Sequence, residues 1–124
     1  MTVLGIGTDI VRVNRIDKAI KRTGNFIDKA FTEREICYLK KRKLSPETVA
    51  GFFAAKESVS KALGTGFRGF GLRDIEVYTN ELGKPEVVLS QNIINILGVD
   101  NVKIHLSISH TDENAIAFAI IEEA

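Results

Sequence analysis

The hydrophobic pattern of the sequence changes its period near the middle of the chain. From 46 to 63, apolar residues recur every three or four positions, as on one face of a helix. From 102 to 109, apolar and polar residues alternate, which is typical of a strand with one buried face. A helical first half and antiparallel strands in the second half predict an α+β fold in a single domain, 1–124.

Capping and turn residues indicate where the elements begin and end. Thr32 and Glu35 form a capping-box pattern, Ser45-Pro46 is an N-cap followed by proline at the first helical position, and Gly64 can end the long helix. The predicted elements are strands at 2–8, 72–79, 85–89, 102–109 and 115–121, and helices at 12–23, 32–42, 46–63 and 90–97. The first strand carries glycines, which indicates close backbone approach. The last is nearly all apolar and is expected to be buried.

The composition excludes several classes of protein. With 17 basic and 16 acidic residues the net charge is +1, so the overall charge favours neither nucleic acid nor a membrane surface. Cys37 is the only cysteine, which excludes an internal disulfide, and no His/Cys cluster suggests zinc. We expect the Cys37 side chain to be packed.

The N-terminal stretch MTVLGIGTDIVRV does not match a signal peptide. It lacks a basic leader and reaches Asp9 before a long apolar run develops. No run approaches the roughly 20 apolar residues that cross a bilayer. We therefore expect a cytoplasmic protein.

The first candidate site residue is Asp9, which follows the stretch Gly5-Ile6-Gly7. An acid at the end of a strand lies where a site can be built. The alternative is an aspartate that only caps the helix that follows.

The second candidate is the ridge formed by Phe53, Glu57 and Lys61, spaced four apart on the long helix. Glutamate four residues before lysine favours a solvated ion pair worth about 0.2–0.5 kcal/mol. Alternatively, Glu57 is a ligand of Mg²⁺ and Lys61 is a point charge on a phosphate. The Gly-Thr-Gly turn at 64–66 would then let the backbone approach that ligand, although a C-cap also explains one glycine.

The third candidate is His110 in the stretch SISHT (107–111), where a strand delivers a histidine to a loop. This side chain can donate to a phosphate or move a proton. The alternative is a turn histidine without a role. His105 points outward from the same strand, and we assign it no role.

Taken together, the three segments resemble a known family. GIGTDI, FFAAKESVSKALGTG and SISHT occur in the order and at the spacing of the bacterial holo-acyl-carrier-protein synthases, the short class of 4′-phosphopantetheinyl transferases. FTEREICYL (31–39), GLRDIEV (71–77) and GKPEVVL (83–89) also resemble blocks of that family. The resemblance covers essentially the whole chain and implies the 4′-phosphopantetheinyl transferase fold, a helical first half packed on an antiparallel sheet.

The resemblance also implies an activity. These enzymes transfer the 4′-phosphopantetheine group of coenzyme A to a serine of apo acyl carrier protein, in fatty acid biosynthesis, and release adenosine 3′,5′-bisphosphate. By position, Asp9 and Glu57 match ligands of Mg²⁺, and Glu57, Lys61 and His110 match catalytic residues. Glu57 is our candidate base, directly or through a water. The residues that match the coenzyme A site are Lys61, Gly64, Thr65, Gly66, Lys84, Pro85, His110 and Thr111.

The resemblance implies two protein contacts as well. The acyl carrier protein is acidic on the surface that these enzymes bind, and Arg15 and Arg22 match the family's carrier-binding arginines. Seven residues apart on a helix, they project from the same side; arginines that serve only solubility are the alternative. The family forms homotrimers with the coenzyme A cleft between protomers, and we expect the same here.

Two departures from the family pattern affect these expectations. Phe52 stands where some members carry an arginine that reaches the 3′-phosphate of coenzyme A, and Arg42 or Lys43 is the candidate substitute. Val11 leaves no Asp-x-Glu pair, whereas the larger, pseudo-dimeric members use a third carboxylate there. We therefore expect two protein carboxylates at the metal, with water in the remaining position.

Two other classes of protein compete with the enzyme. One is a non-catalytic module that binds a nucleotide or phosphate without turnover. The other is a small structural oligomer in which Glu57 and Lys61 form only a solvated pair. Turnover with coenzyme A and Mg²⁺ distinguishes the enzyme from both.

Overall fold

A computed structural model describes residues 2–22, 24–64, 68–99 and 101–124, so the predicted site residues Thr65 and Gly66 lie outside the described residues. The elements are β1 (Val3–Arg12), α1 (Val13–Arg22), α2 (Phe26–Ala30), α3 (Glu33–Lys41), α4 (Pro46–Leu63), a 3₁₀ turn (Leu72–Asp74), β2 (Ile75–Thr79), β3 (Pro85–Leu89), α5 (Gln91–Leu97), β4 (Val102–His110) and β5 (Asn114–Glu123). The predicted α+β class is confirmed.

Two antiparallel sheets are present in the described part of the chain. Strands β1, β5 and β4 form one, with β5 in the centre, and the β2–β3 hairpin forms the other. Helix α4 packs on one face of the three-stranded sheet, where β5 presents the buried side chains of Ala115, Ala117 and Ala119. These small side chains let the helix lie close to the sheet.

The closest approach is between α4 and β1. A Cβ added at Gly7 would lie 1.9 Å from the carbonyl oxygen of Ser58, and one added at Gly5 would lie 1.8 Å from that of Ala62. The obstructing atoms belong to the helix backbone, which no side-chain rotation can move. The expectation of close backbone approach at these glycines is therefore confirmed.

Helix α4 buries polar residues as well as its predicted apolar face. Lys56 is fully buried, and its ammonium donates to Glu35 of α3. The Glu35 carboxylate also accepts the backbone N–H of Thr32 at 2.8 Å, completing the predicted capping box, and that of Val77 in β2 at 2.7 Å. Burial lowers the pKa of Lys56, and the adjacent Glu35 carboxylate partly opposes this effect. One buried ion pair thus joins α3, α4 and β2.

Several predicted boundaries are wrong. Strand β1 continues to Arg12, so Asp9 lies inside the strand and neither ends it nor caps α1. The five-residue helix α2 was not predicted, and residues 72–74 form a 3₁₀ turn rather than the start of a strand. Strand β4 continues through His110, which was predicted to begin the loop.

Two predictions of burial are also wrong. Strand β5 alternates: Ile116 and Phe118 are 46% and 42% exposed, while Ala117 between them is buried. Cys37 is exposed on α3 rather than packed. In both cases an apolar residue type was taken as a sign of burial. Among the described residues, no helix combines the length and apolar character needed to cross a membrane.

We predict that Gly7→Ala destabilises the protein by about 3 kcal/mol or more, because the new methyl group forces β1 and α4 apart. Gly71→Ala is the matched control, since nothing lies within 4 Å of a Cβ there and its φ of −121° suits any residue. Urea denaturation of both variants measures the difference. Equal midpoints would contradict the packing described for β1.

Candidate active site

Asp9 reaches the site from the middle of β1. It lies opposite Ala117 in the β1–β5 register, and directly opposed residues of an antiparallel pair point to the same face. Because Ala117 is buried on the α4 side, the Asp9 carboxylate also faces α4; its side chain is 16% exposed. A rigid strand therefore positions the acid.

Lys61, in the last turn of α4, binds β1 rather than its own helix. Its ammonium donates to the carbonyl oxygen of Thr8 at 3.0 Å and to Oδ1 of Asp9 at 3.1 Å. This is the only ion pair of Lys61 among the described residues. The alternative of a solvated pair between Glu57 and Lys61 therefore does not describe the Lys61 side chain. The ammonium nevertheless lies close enough to Glu57 to lower its pKa.

Glu57 lies one turn before Lys61 and is half-buried. Burial raises the pKa of the Glu57 carboxyl, the neighbouring Asp9 carboxylate raises it further, and Lys61 acts in the opposite direction. The two acids are thus near enough to interact through their charges. Repulsion between two half-buried carboxylates is relieved by a shared cation or a shared proton.

The donor chemistry of this pair suits Mg²⁺, which prefers carboxylate oxygens and usually takes one or two of them from a protein. Among the described residues, no cluster of three or more His, Cys, Asp or Glu side chains is placed to hold a metal. Asp9 and Glu57 could therefore supply two ligands, and the remaining positions would fall to water or substrate.

The acid pair opens onto a groove with a volume of about 730 Å³. One part of the groove is apolar, where the rings of Phe26 and Phe53 meet with centroids 5.6 Å apart. Arg12 and Arg15 also line the groove. It thus offers an apolar surface, two carboxylates and two guanidinium groups, which suits a ligand with apolar and phosphate parts.

Arg15 and Arg22 lie together, as their spacing predicts. With Lys18 and Ala19 they line a shallower depression of about 320 Å³, and Arg15 borders the larger groove as well. The basic surface of α1 is therefore continuous with the groove that holds the acid pair.

The other predicted residues that the structure describes are not gathered at this groove within one chain. His110 is exposed at the end of β4, and β5 separates that strand from β1 by two strand spacings, about 10 Å. Lys84 and Pro85 lie at the β2–β3 hairpin, in the other sheet. Thr111 uses its hydroxyl to accept the N–H of Asn114 at 3.1 Å, which shapes the β4–β5 turn. Gly64 ends α4 with φ of 78°, as a C-cap.

The aromatic ring at position 52 belongs to a stack of three side chains. Phe52 is buried, and its ring stacks on Tyr38 with centroids 5.2 Å apart and planes 10° apart. The guanidinium of Arg42 covers the Tyr38 ring at 4.3 Å from its centroid. Phe52 carries no charge, but the stack that it supports holds the guanidinium of Arg42 at its outer end.

Sequence reasoning missed two features of the site. The bond between Lys61 and Asp9 joins residues 52 positions apart, so no local spacing reveals it. Arg12 was read only as part of the first helix, although it continues the helical spacing of Arg15, Lys18 and Arg22. That spacing was the signal that could have found it.

Comparison with known proteins places this chain in a family. The model of the 4′-phosphopantetheinyl transferase superfamily matches residues 5–119. The holo-[acyl-carrier-protein] synthase of Clostridium beijerinckii is 56% identical over 120 residues, which cover 97% of this chain and 98% of that protein. That of Clostridium novyi is 60% identical over 123 residues, with coverage of 97% and 88%.

Solved structures agree with these matches. A holo-(acyl-carrier-protein) synthase from Bacillus anthracis, in complex with CoA (3′,5′-ADP), superposes with a TM-score of 0.85 at 38% identity and covers 100% of both chains. The Helicobacter pylori synthase in complex with coenzyme A gives a TM-score of 0.83 at 32% identity, with coverage of 94% and 99%.

Proposed function

The chain belongs to the 4′-phosphopantetheinyl transferase superfamily, the family that its sequence predicts, and from this premise we propose how it works. It transfers the 4′-phosphopantetheine group of coenzyme A to a serine of apo acyl carrier protein. The observation that carries the proposed mechanism is the coupling of Asp9 and Glu57 at the edge of the groove. The setting that we propose is fatty acid biosynthesis in the cytoplasm.

Asp9 and Glu57 hold Mg²⁺ in this proposal. When bound, the ion supplies positive charge that offsets the coenzyme A diphosphate and the charge that develops on the leaving group. The protein's own task is then positioning, since phosphoryl transfer needs little covalent help. Strand β1 and helix α4 provide that positioning, because each acid sits on a rigid element.

The reaction forms a bond between the serine oxygen of the carrier and the phosphorus nearest to the pantetheine. The bond from that phosphorus to the bridging oxygen breaks, and adenosine 3′,5′-bisphosphate leaves with the electron pair. The serine proton passes to Glu57, directly or through a water. In the metal-free protein, burial and the Asp9 carboxylate raise the pKa of Glu57, whereas a bound cation would act in the opposite direction.

Lys61 has two tasks in this mechanism. Its bonds to Thr8 and Asp9 hold the Asp9 carboxylate in place, and its side chain is still 57% exposed. The exposed ammonium can therefore also meet a phosphate oxygen as a point charge. On the outer surface, Arg15 and Arg22 bind the acidic carrier protein.

We predict that intact-mass spectrometry of an apo acyl carrier protein, incubated with this protein, coenzyme A and Mg²⁺, shows the gain of one phosphopantetheine. EDTA or Glu57→Ala should slow the gain at least about a hundredfold, because each removes stabilisation of the reacting phosphate. Glu33→Gln, an exposed acid of α3, serves as the matched control and should retain activity. No gain with several carriers, from a protein that binds coenzyme A, would favour the binding-module alternative.

The open face of the three-stranded sheet supports the proposed homotrimer. Four apolar side chains on that face are 42–66% exposed: Ile6, Ile10, Ile116 and Phe118. Ile10 lies opposite Ile116, and Thr8 lies opposite Phe118, so the face is contiguous across β1 and β5. A contiguous apolar face of this kind marks an interaction surface, and a second copy of the chain is the proposed occupant.

Such an assembly also explains why His110 is remote from the acid pair of its own chain. In the proposed trimer, His110 of one copy faces the coenzyme A cleft that Asp9, Glu57 and Lys61 of its neighbour form. The site would then be complete only in the oligomer.

A shared site makes a specific prediction for mixed oligomers. Glu57→Ala and His110→Ala should each be nearly inactive alone, whereas their co-expression should restore about one site in four, where both contributors are intact. Co-expression of Glu57→Ala with Lys61→Ala is the control and should restore nothing, because those residues lie in the same chain. Equal activities of the two mixtures would contradict a shared site.

For the 3′-phosphate of coenzyme A, we propose Arg42 in place of the arginine that Phe52 replaces. The stack on Tyr38 and Phe52 restricts the guanidinium, which lowers the entropic cost of binding. Lys43 is the alternative within the same basic run.

Dephospho-coenzyme A, which lacks the 3′-phosphate, tests this assignment. We predict that Arg42→Ala raises KM for coenzyme A about tenfold and leaves KM for dephospho-coenzyme A unchanged, because only the former has the contact to lose. Arg34→Ala is the matched control, because it removes an arginine of α3 that covers a different ring, that of Tyr78 in β2. A rise for both substrates would contradict the assignment.

A further inference from the structure

Four basic side chains form a track from the groove along α1. Arg12, Arg15, Lys18 and Arg22 are exposed, and none has an ion pair within the described residues. In contrast, Lys21 of the same helix is paired with Asp17 at 3.1 Å. Asp17 thus neutralises Lys21 on another face of α1, and the four side chains of the track keep their positive charge.

Arg12 is the member of the track that belongs to the same strand as Asp9. It is the last residue of β1, three positions after Asp9, and it lines the groove together with Asp9 and Glu57. Its backbone position is fixed on both sides, since Arg12 lies opposite Asn114 and the next residue, Val13, donates its N–H to the backbone carbonyl of Glu113 at 2.9 Å. The base of this side chain is therefore held rigidly at the groove.

An acidic carrier meets an electrostatic problem at this groove. Its serine must come to roughly 3–3.5 Å from the phosphorus, so the surface around the serine approaches the two carboxylates. Like charges brought together at an interface cost binding energy unless a cation lies between them. Arg12 is placed where it can supply that cation.

We propose that Arg12 is a specificity-determining residue that binds a carboxylate of the acyl carrier protein close to the acceptor serine. This inference rests on the proposed function. The carrier fits better than coenzyme A as the partner, because Arg12 continues the track of Arg15, Lys18 and Arg22. Ten helical residues extend about 15 Å, a length that suits the surface of a protein rather than one diphosphate.

Steady-state kinetics with the two substrates varied separately test the proposal. Arg12→Ala should raise KM for the apo acyl carrier protein about tenfold, while kcat and KM for coenzyme A stay within twofold. Arg12→Lys should recover part of the loss, since it keeps the charge without the planar guanidinium. Lys21→Ala is the matched control, an exposed cation of the same region that lies outside the track, and should change neither constant.

Titration calorimetry of the carrier into the metal-free protein gives a readout that does not depend on turnover. We expect Arg12→Ala to weaken binding by a similar factor and to reduce its dependence on salt. An increase in KM for coenzyme A without one for the carrier would overturn the proposal, and so would unchanged constants for both. A wild-type protein without transfer would instead refute the proposed function, and this inference with it.

Discussion

The contact between the backbones of β1 and α4 is the constraint on which the site depends. Two glycines of β1 bring the strand against helix carbonyls that any larger residue would strike. Asp9 is the next residue of β1 on that face after Gly7, and Glu57 directly precedes Ser58, whose carbonyl faces Gly7. The two carboxylates come close enough to interact because the glycines have no side chains that would push β1 and α4 apart. A site built on a strand and a helix also holds its geometry better than one built on loops.

Helix α4 carries two neighbouring charged residues in different surroundings: Lys56 is buried in the core, and Glu57 lines the groove. Lys56 is buried and donates to the Glu35 carboxylate, which also accepts the backbone N–H groups of Thr32 and Val77. A buried pair of this kind contributes little net stability, but removal of either partner is costly, so it fixes how α4 is rotated. Glu57, the next residue, then necessarily turns toward β1 and the groove. The buried ion pair thereby orients Glu57.

The sequence predicted the elements whose signals are local. The capping box of Thr32 and Glu35 and the αL glycine after α4 depend only on near neighbours, and both are present. The end of β1 could not be found this way, because pairing with β5 carries the strand past Asp9. The alternation of β5 was hidden because its exposed residues, Ile116 and Phe118, are as apolar as its buried ones. Apolar residues on both faces indicate burial of both faces, whereas α4 covers one face and Ile116 and Phe118 remain exposed on the other.

The same limit applies to the site itself. Spacing along α4 placed Glu57 and Lys61 on one ridge, but only the fold shows that Lys61 binds Asp9 and that Arg12 lines the same groove as the acids. Under the proposed function, the site needs cations for a polyanionic substrate and an acidic protein partner, and carboxylates for a metal at the same place. The chain has a net charge of only +1, so the proposal requires the two kinds of charge to be separated over a short distance. The acids line the groove, where burial raises the pKa of Glu57. The cations that have no ion pair among the described residues begin at its rim and continue along α1. An approaching acidic surface thus meets positive charge before it meets the carboxylates.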